Sequence, residues 1–493
     1  MGELRQRRWL ATAATLAVSA VSAASAVARS PLSAAALIRD VRTYARLGVD
    51  GHLTGSVQEE QTLVWMLDQL QATGAQTGVD GVSFYAFQPT PSSLGVNGRP
   101  VGSLAPYFYS GQTGSSAISA PLVDAGEGTP ADLARIDVKG KLAVIRVPYL
   151  EDFLDPTFTG QGPVPAAFKS IAAAGALGLV AVTDGPQDYP VNEDVSSTLG
   201  LQTLPTLFVG KRTGASVISA ADAGERGSLL LEAQPARACT QNLWAVLPGR
   251  DTSRFIVIGT PSSGFDEAAS ERGAGVAILL GLARHYAALP VSQRPVTLVF
   301  GVFSGHEVGV GIPTFAQQHP EWFGQRTDAY IGLGASIAAR QLYELPNGAV
   351  TSWPFGDLSR ELYVSENPLL EPVVQRDFAP AQPLGSIPPG VFDPGEQQLP
   401  YIDGIPIVAI SGASYYFHTA GDTPSGVSAP LLADSAGAFA KVIDDVASLP
   451  AGTLRQANVA ASALGAQRAP KGSGGDPRFE PEPDPACAQI GSG

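Results

Sequence analysis

The stretch GAGVAILLGLARHYAAL, residues 273–289, constrains the fold more than any other part of the chain. Read as a helix it is apolar on nearly every side, so it belongs inside the protein rather than on its surface. Short β-rich runs flank it, FIVIG (255–259) before and VTLVFGV (296–302) after. The alternation extends outward to LWAVL (243–247), AYIGL (329–333) and PIVAIS (406–411). Such a pattern predicts an α/β fold, a mostly parallel sheet with helices on both faces. Ligands of these sheets bind beyond the carboxyl ends of the strands, so the residues just after each run are the ones to inspect.

A chain of 493 residues exceeds one ordinary domain. Residues 31–105 read as the N-terminal part of the core. Within them SVQEEQTLVWMLDQLQATGA opens on a capping box of Ser56 and Glu59, lines up Leu63, Met66, Leu67 and Leu70, and stops at Gly74. VSFYAFQPT follows as a strand. Residues 106–235 differ in character: LAVIRV (142–147) and LGLVAV (177–182) are strands, the small-residue helix AAFKSIAAAGA lies between them, and LPTLFVGKRTGASVI comes later. This stretch contains no His or Cys and reads as an inserted binding or lid module. The main core spans 236–450. Residues 451–493, rich in Pro, Gly and Ala, predict a flexible or loosely docked tail.

Residues 1–28 carry a basic start (Arg5, Arg7, Arg8), an apolar stretch and small-residue cleavage patterns at Ala24-Ser25-Ala26 or Ala26-Val27-Ala28. They read as a secretory signal peptide, and Arg7-Arg8-Trp9-Leu10 leaves both Sec and twin-arginine export open. The expected location is therefore periplasmic or extracellular. No other run approaches the roughly 18 apolar residues of a membrane span. A net charge of −14 argues against nucleic acid and anionic membrane as partners. Cys239 and Cys487 are the only cysteines. In an exported protein they form either one disulfide tying the tail to the core or two free thiols.

Three loops after strands hold candidate chemistry. FIVIG leads into TPSSGFDEAASERGAGVA with Asp266, Glu267, Glu271 and Arg272, VTLVFGV into FSGHE with His306 and Glu307, and PIVAIS into GASYYFHTAGDTP with His418 and Asp422. Carboxylates and an imidazole drawn from neighbouring loops suffice to hold zinc with one position open for water. His306-Glu307 is not a helical H-E-x-x-H motif, because Val310 stands where the second His belongs and Gly309 and Gly311 oppose a helix. A serine hydrolase is excluded by the absence of any Gly-x-Ser-x-Gly elbow. Each residue also has a plainer reading, Glu271-Arg272 as a local ion pair and His418 as a turn held through Asp422.

In chain order, HLTGSVQEEQTLVWMLDQLQATGA, DVKGKLAVIRV, KSIAAAGALGLVAV, LPTLFVGKRTG, NLWAVLPGRDTSRFIVIG, ERGAGVAILLGLAR, VTLVFGVFSGHEVGVG and GIPIVAISGASYYFHTAGDT resemble the M28 metallopeptidases of aminopeptidase type with an inserted protease-associated (PA) domain. The family holds two zinc ions through five protein ligands, with a Glu as general base. Here the first His position is Pro261, the bridging Asp position is Glu271, the Glu-Glu pair is His306-Glu307, the next Asp position is Gly334, and the final His is His418. The resemblance thus implies a single zinc held by Glu271, Glu307 and His418. His306 would be the general base or an extra ligand, and Tyr416, with Tyr415 or Arg272 as alternatives, would be the oxyanion donor. Glu396 and Arg272 are the substrate-binding candidates, and Glu396, Asp393 and Asp266 those for a substrate ammonium group. The implied activity is an exported zinc hydrolase of peptide or amide bonds. The alternative is an inactive peptidase-fold protein that binds peptides or proteins through the cleft and the PA domain.

Overall fold

A computed structural model describes residues 30–49, 51–147, 163–192, 203–352, 360–381, 386–387, 397–458 and 481–490. The signal peptide expected at 1–28 lies outside them, as do Asp393 and Glu396. The fold is mixed α/β around one long sheet.

Two helices come first, α1 (Ala34–Leu47) and α2 (Val57–Gln71). The expected capping box is half formed: Ser56 Oγ accepts from the Glu59 N–H at 3.1 Å, while the Glu59 carboxylate takes the Gly55 N–H at 2.6 Å and turns inward. The strands that organise the molecule are β1 (Gln76–Val96), β2 (Ile118–Asp124), β3 (Leu142–Val147), β4 (Gly178–Thr183) and β5 (Thr206–Gly210). They continue as β6 (Arg226–Leu247), β7 (Asp251–Pro261), β8 (Val296–Phe303), β9 (Thr327–Leu333), β10 (Arg360–Val364) and β11 (Ile407–Gly412). Across the sheet the order is β10-β11-β9-β7-β8-β6-β2-β3-β4-β5. Strands β8, β7, β9 and β11 are mutually parallel neighbours, and so are β2 to β5. The two parallel halves meet through β6, which pairs antiparallel with β8 on one side and β2 on the other.

Alternate residues of the core strands face opposite layers, as a period of two requires. Ile256, Ile258, Leu298, Phe300, Ile331 and Ile410 pack with α1, α3 (Ala274–Ala287) and α4 (Ala429–Ser448). Phe255, Val257, Val299 and Tyr330 pack on the other face with Ile312 and Phe315 of the helix Gly311–Gln318. Helix α3 is buried along almost its whole length, Val276 through Leu280 included, which explains its all-round apolar sequence.

The inserted segment is not joined to the core by a flexible linker. Strands β1 and β6 run antiparallel from Gln76↔Val246 to Val96↔Gly227, a continuous ribbon with one irregularity between Pro89 and Ser92. The tail is tied down at two points. Leu454 of the short helix Thr453–Ala457 is buried, and Glu482 pairs with Ser83 of β1 beside a disulfide between Cys239 and Cys487. No helix among the described residues is long and apolar enough to cross a membrane.

Candidate functional site at the strand ends

The loops after β7, β8 and β11 converge at the carboxyl ends of their strands. After Pro261 the chain passes Asp266 and Ala268, both left-handed (φ 52° and 42°), and enters a single π-helical turn, Ala269–Gly273, ahead of α3. Such one-turn insertions are frequent at functional sites because they re-aim side chains. Here the turn directs Glu271 and Arg272 inward, where each is 1% exposed. Asp422 anchors the turn from the β11 loop. Its Oδ1 accepts from the Ser270 N–H at 2.9 Å and from the Ser270 hydroxyl, and its Oδ2 accepts from the Glu271 N–H at 2.9 Å. Burial pushes the Asp422 carboxyl up to about 7.

His418 arrives at φ 56° between the rings of Phe417 and Phe265. Its Nδ1 lies 3.1 Å from the carbonyl oxygen of Asn192, a residue of the inserted segment, and its Nε2 lies 3.0 Å from Glu271 Oε1. The carbonyl cannot donate, so it fixes a proton on Nδ1 and aims Nε2 at the carboxylate. The same Glu271 oxygen meets Arg272 Nη2 at 2.9 Å.

The β8 loop differs from a helical motif because Gly305 (φ 81°) and Gly309 (φ 66°) both adopt the left-handed conformation. At Gly305 a Cβ would lie 2.0 Å from the Val310 side chain, so only glycine fits the turn. Between them lies a 3-10 turn, His306–Val308. His306 is half-buried and its N–H donates to Ser263 Oγ at 3.1 Å. Glu307 is buried and accepts from the Thr54 hydroxyl at 2.8 Å. Glu59 lies close behind it, accepting from the hydroxyls of Ser304 and, at 3.0 Å, Thr240.

Burial raises the Glu59 carboxyl from 4.5 to about 8, with the Glu307 charge adding to the rise. The folded protein therefore holds a proton there that the unfolded chain releases, and stability falls as pH rises from about 4.5 through about 8. At about 1.4 kcal/mol per unit this amounts to a few kcal/mol. Asp422 contributes with the same sign. Urea unfolding midpoints are expected to fall between pH 5 and 8 in the wild type and to fall less in Glu59→Gln. Parallel profiles would contradict the assignment.

The remaining candidates separate. The Tyr416 hydroxyl lies 3.5 Å from Gln187 Oε1 and that of Tyr415 donates to Glu344 Oε2 at 3.1 Å, so both rings serve the contact with the inserted segment. Glu344 also takes Lys211 Nζ at 2.7 Å and the Gln187 N–H at 2.9 Å. Glu396 and Asp393 lie outside the described residues. Asp266 lines a cavity of about 800 Å³ between core and insert, together with Leu53, Leu104, Phe108, Asn192 and Phe265. Burial first, and then the Glu271 charge, push its carboxyl up to about 6. Sequence reasoning missed Asn192, Thr54 and Tyr44, whose hydroxyl donates to the Ser262 carbonyl at 2.8 Å. They are polar residues with no motif of their own, and only the fold brings them here.

Of the three residues expected to hold zinc, Glu271 and His418 touch, and Glu307 lies in the adjacent loop with its Oε2 on Thr54. Among the described residues no three His, Cys, Asp or Glu side chains gather as a metal-binding group. Arg272 Nη2 lies 2.9 Å from Glu271 Oε1, the carboxylate oxygen that also faces His418 Nε2. The side chains as arranged do not fit a zinc ion.

No family model matches the sequence, and no curated protein matches it. Solved structures do. BSAP, a zinc aminopeptidase from Bacillus subtilis, aligns with a TM-score of 0.64 at 17% identity, covering 86% of this chain and 98% of that one. A peptidase M28 precursor from Shewanella amazonensis SB2B aligns at 0.62 and 17% identity, covering 84% and 96%. An aminopeptidase from Aneurinibacillus sp. strain AM-1 aligns at 0.54 and 20% identity, covering 83% and 92%. At these identities the likeness is one of architecture: the chain is built, over most of its length, on the fold of the M28-type zinc aminopeptidases.

Proposed function

We propose that the protein binds the amino-terminal end of a peptide or protein chain in the cavity between its core and its PA-like inserted module. The observation that carries this reading is Asp266. Its carboxylate lines a cavity whose wall is part apolar and part polar, Asp188, Arg212 and Gln187 included, next to the Asn192 amide at 3.2 Å. A few polar groups converging in an apolar concave site are the usual form of a ligand pocket. A carboxylate that burial has made uncomfortable as an anion gains from an arriving ammonium group, while Leu53, Leu104, Phe108 and Phe265 offer apolar surface to the first side chain. The export expected from residues 1–28 belongs to the same reading, and the Cys239–Cys487 disulfide fits an oxidising compartment.

A second reading is zinc-dependent hydrolysis of the bound peptide, which requires Arg272 to leave the Glu271 carboxylate. The observation favouring it is the orientation of His418, whose Nδ1 is held by a backbone carbonyl as metal-binding imidazoles usually are.

Calorimetric titration with a short unblocked peptide and its N-acetyl counterpart, in the presence of EDTA, tests the first reading. The free amine is expected to bind at least about tenfold more tightly, and Asp266→Asn to abolish the difference. Equal affinities in the wild type, or no binding of either peptide, would sink it.

A further inference from the structure

We infer that Arg272 stands in for the metal ion of this fold, a permanent cation built into the chain that braces the loops after β7 and β11 and excludes zinc. The side chain is 1% exposed and is the largest among those fully buried. A guanidinium cannot be deprotonated inside a protein and presents five N–H donors in a fixed plane. Its own contacts brace the loop after β7, and Glu271 carries them on to the loop after β11. Nη2 meets Glu271 Oε1 at 2.9 Å, and Nε donates to the Ser263 carbonyl, in the loop after β7, at 3.2 Å. The shared Glu271 oxygen then reaches His418 Nε2 in the loop after β11 at 3.0 Å. The loops after β7 and β11 are thereby joined through one cation and one carboxylate.

The loop after β7 is shaped for this occupant. The Ser263 carbonyl points inward to Arg272, while the Ser262 carbonyl accepts from Tyr44. At Gly264 a Cβ would lie 3.2 Å from Arg272 Cγ and 2.9 Å from Ala268 Cβ, so glycine leaves the space the arginine stem fills. The same Cβ position lies 3.8 Å from Glu307 Oε1, so the stem of Arg272 and the third expected ligand both approach this one residue. Glu271 Oε1 already lies 2.9 Å from Arg272 Nη2 and 3.0 Å from His418 Nε2. Zinc bound there at the required distance of about 2.0–2.2 Å would sit against a like charge that has nowhere else to go.

The inference does not depend on what the cavity binds, and its test reads metal rather than peptide. Wild type, Arg272→Asn and Arg272→Asn/His418→Ala are incubated with zinc and freed of excess by gel filtration. Zinc per chain is then measured by elemental analysis, and melting temperatures are recorded with zinc and with EDTA. The wild type is expected to retain no zinc and to melt at the same temperature under both conditions. Arg272→Asn is expected to retain about one zinc and to be stabilised by it, and the double variant to lose it. Stoichiometric zinc in the wild type would overturn the inference, as would a folded Arg272→Asn that takes up none. If Arg272→Asn does not fold alone, zinc in the refolding buffer is expected to recover it, and a failure to do so would equally count against the substitution.

Discussion

Arg272→Met is expected to destabilise the protein by about 3–5 kcal/mol, the cost of stranding a buried charge whose partner has been removed. The methionine fills much of the space of the arginine stem, so the loss is electrostatic rather than a cavity effect. Glu271 would keep the His418 imidazole at 3.0 Å but lose the guanidinium, and the Ser263 carbonyl would lose its donor. Because the partner left behind causes most of the damage, Glu271→Gln in the same chain is expected to recover a substantial part of it. Denaturant midpoints of the two single variants and the double variant form the cycle that checks this. A single Arg272→Met variant within about 1 kcal/mol of wild type would show that the pair contributes no more than a surface ion pair does.

Cys239→Ala/Cys487→Ala is expected to cost about 2–5 kcal/mol, chiefly by freeing the unfolded chain. The linked residues are 248 positions apart, which places the effect toward the upper part of that range. There is a native-state consequence as well. Cys239 lies opposite Ser83 in the β1–β6 ribbon, Ser83 also pairs with Glu482, and Gln241 Nε2 donates to the Cys487 carbonyl at 2.9 Å. Without the covalent tie, residues 481–490 are held by a two-residue strand pairing and a few hydrogen bonds, and they should become cleavable by protease before the core melts. Unchanged melting and unchanged proteolysis of the reduced protein would contradict both parts.

Much of the fold was legible because strong periodicity leaves few alternatives. Helix α3 could only be an interior helix, and every core run marked as a strand coincides with a strand to within one residue. Where several interactions compete, the sequence was less legible. Glu59 reads as a capping residue, yet its carboxylate takes the Gly55 N–H and the buried hydroxyls of Thr240 and Ser304, and those two are distant in sequence and adjacent only in space. The tail reads as loose from its composition, while a disulfide and Leu454 hold parts of it. At the site, the three strand-end loops were identifiable from strand ends alone, and Glu271 with His418 do meet. What could not be read was the π-helical turn, set by the left-handed Asp266 and Ala268 and by the Asp422 anchor, because no local propensity encodes it. That turn decides that Arg272 points inward beside Glu271 instead of outward as a helix-start ion pair. Tyr416 illustrates the same limit: its place next to His418 in sequence does not bring its hydroxyl to the site, because Gln187 of the insert lies opposite it.

The most direct measurement is the fate of a peptide in contact with the intact cleft. Wild-type protein supplied with zinc is incubated with an unblocked peptide that binds in the calorimeter, and the mixture is analysed by mass spectrometry over hours. A cleft that binds amino termini through Asp266, beside loops braced by a fixed arginine cation, is expected to return the peptide unchanged, with or without zinc. Progressive loss of amino-terminal residues that depends on zinc and stops with EDTA would contradict the account and establish the hydrolase instead.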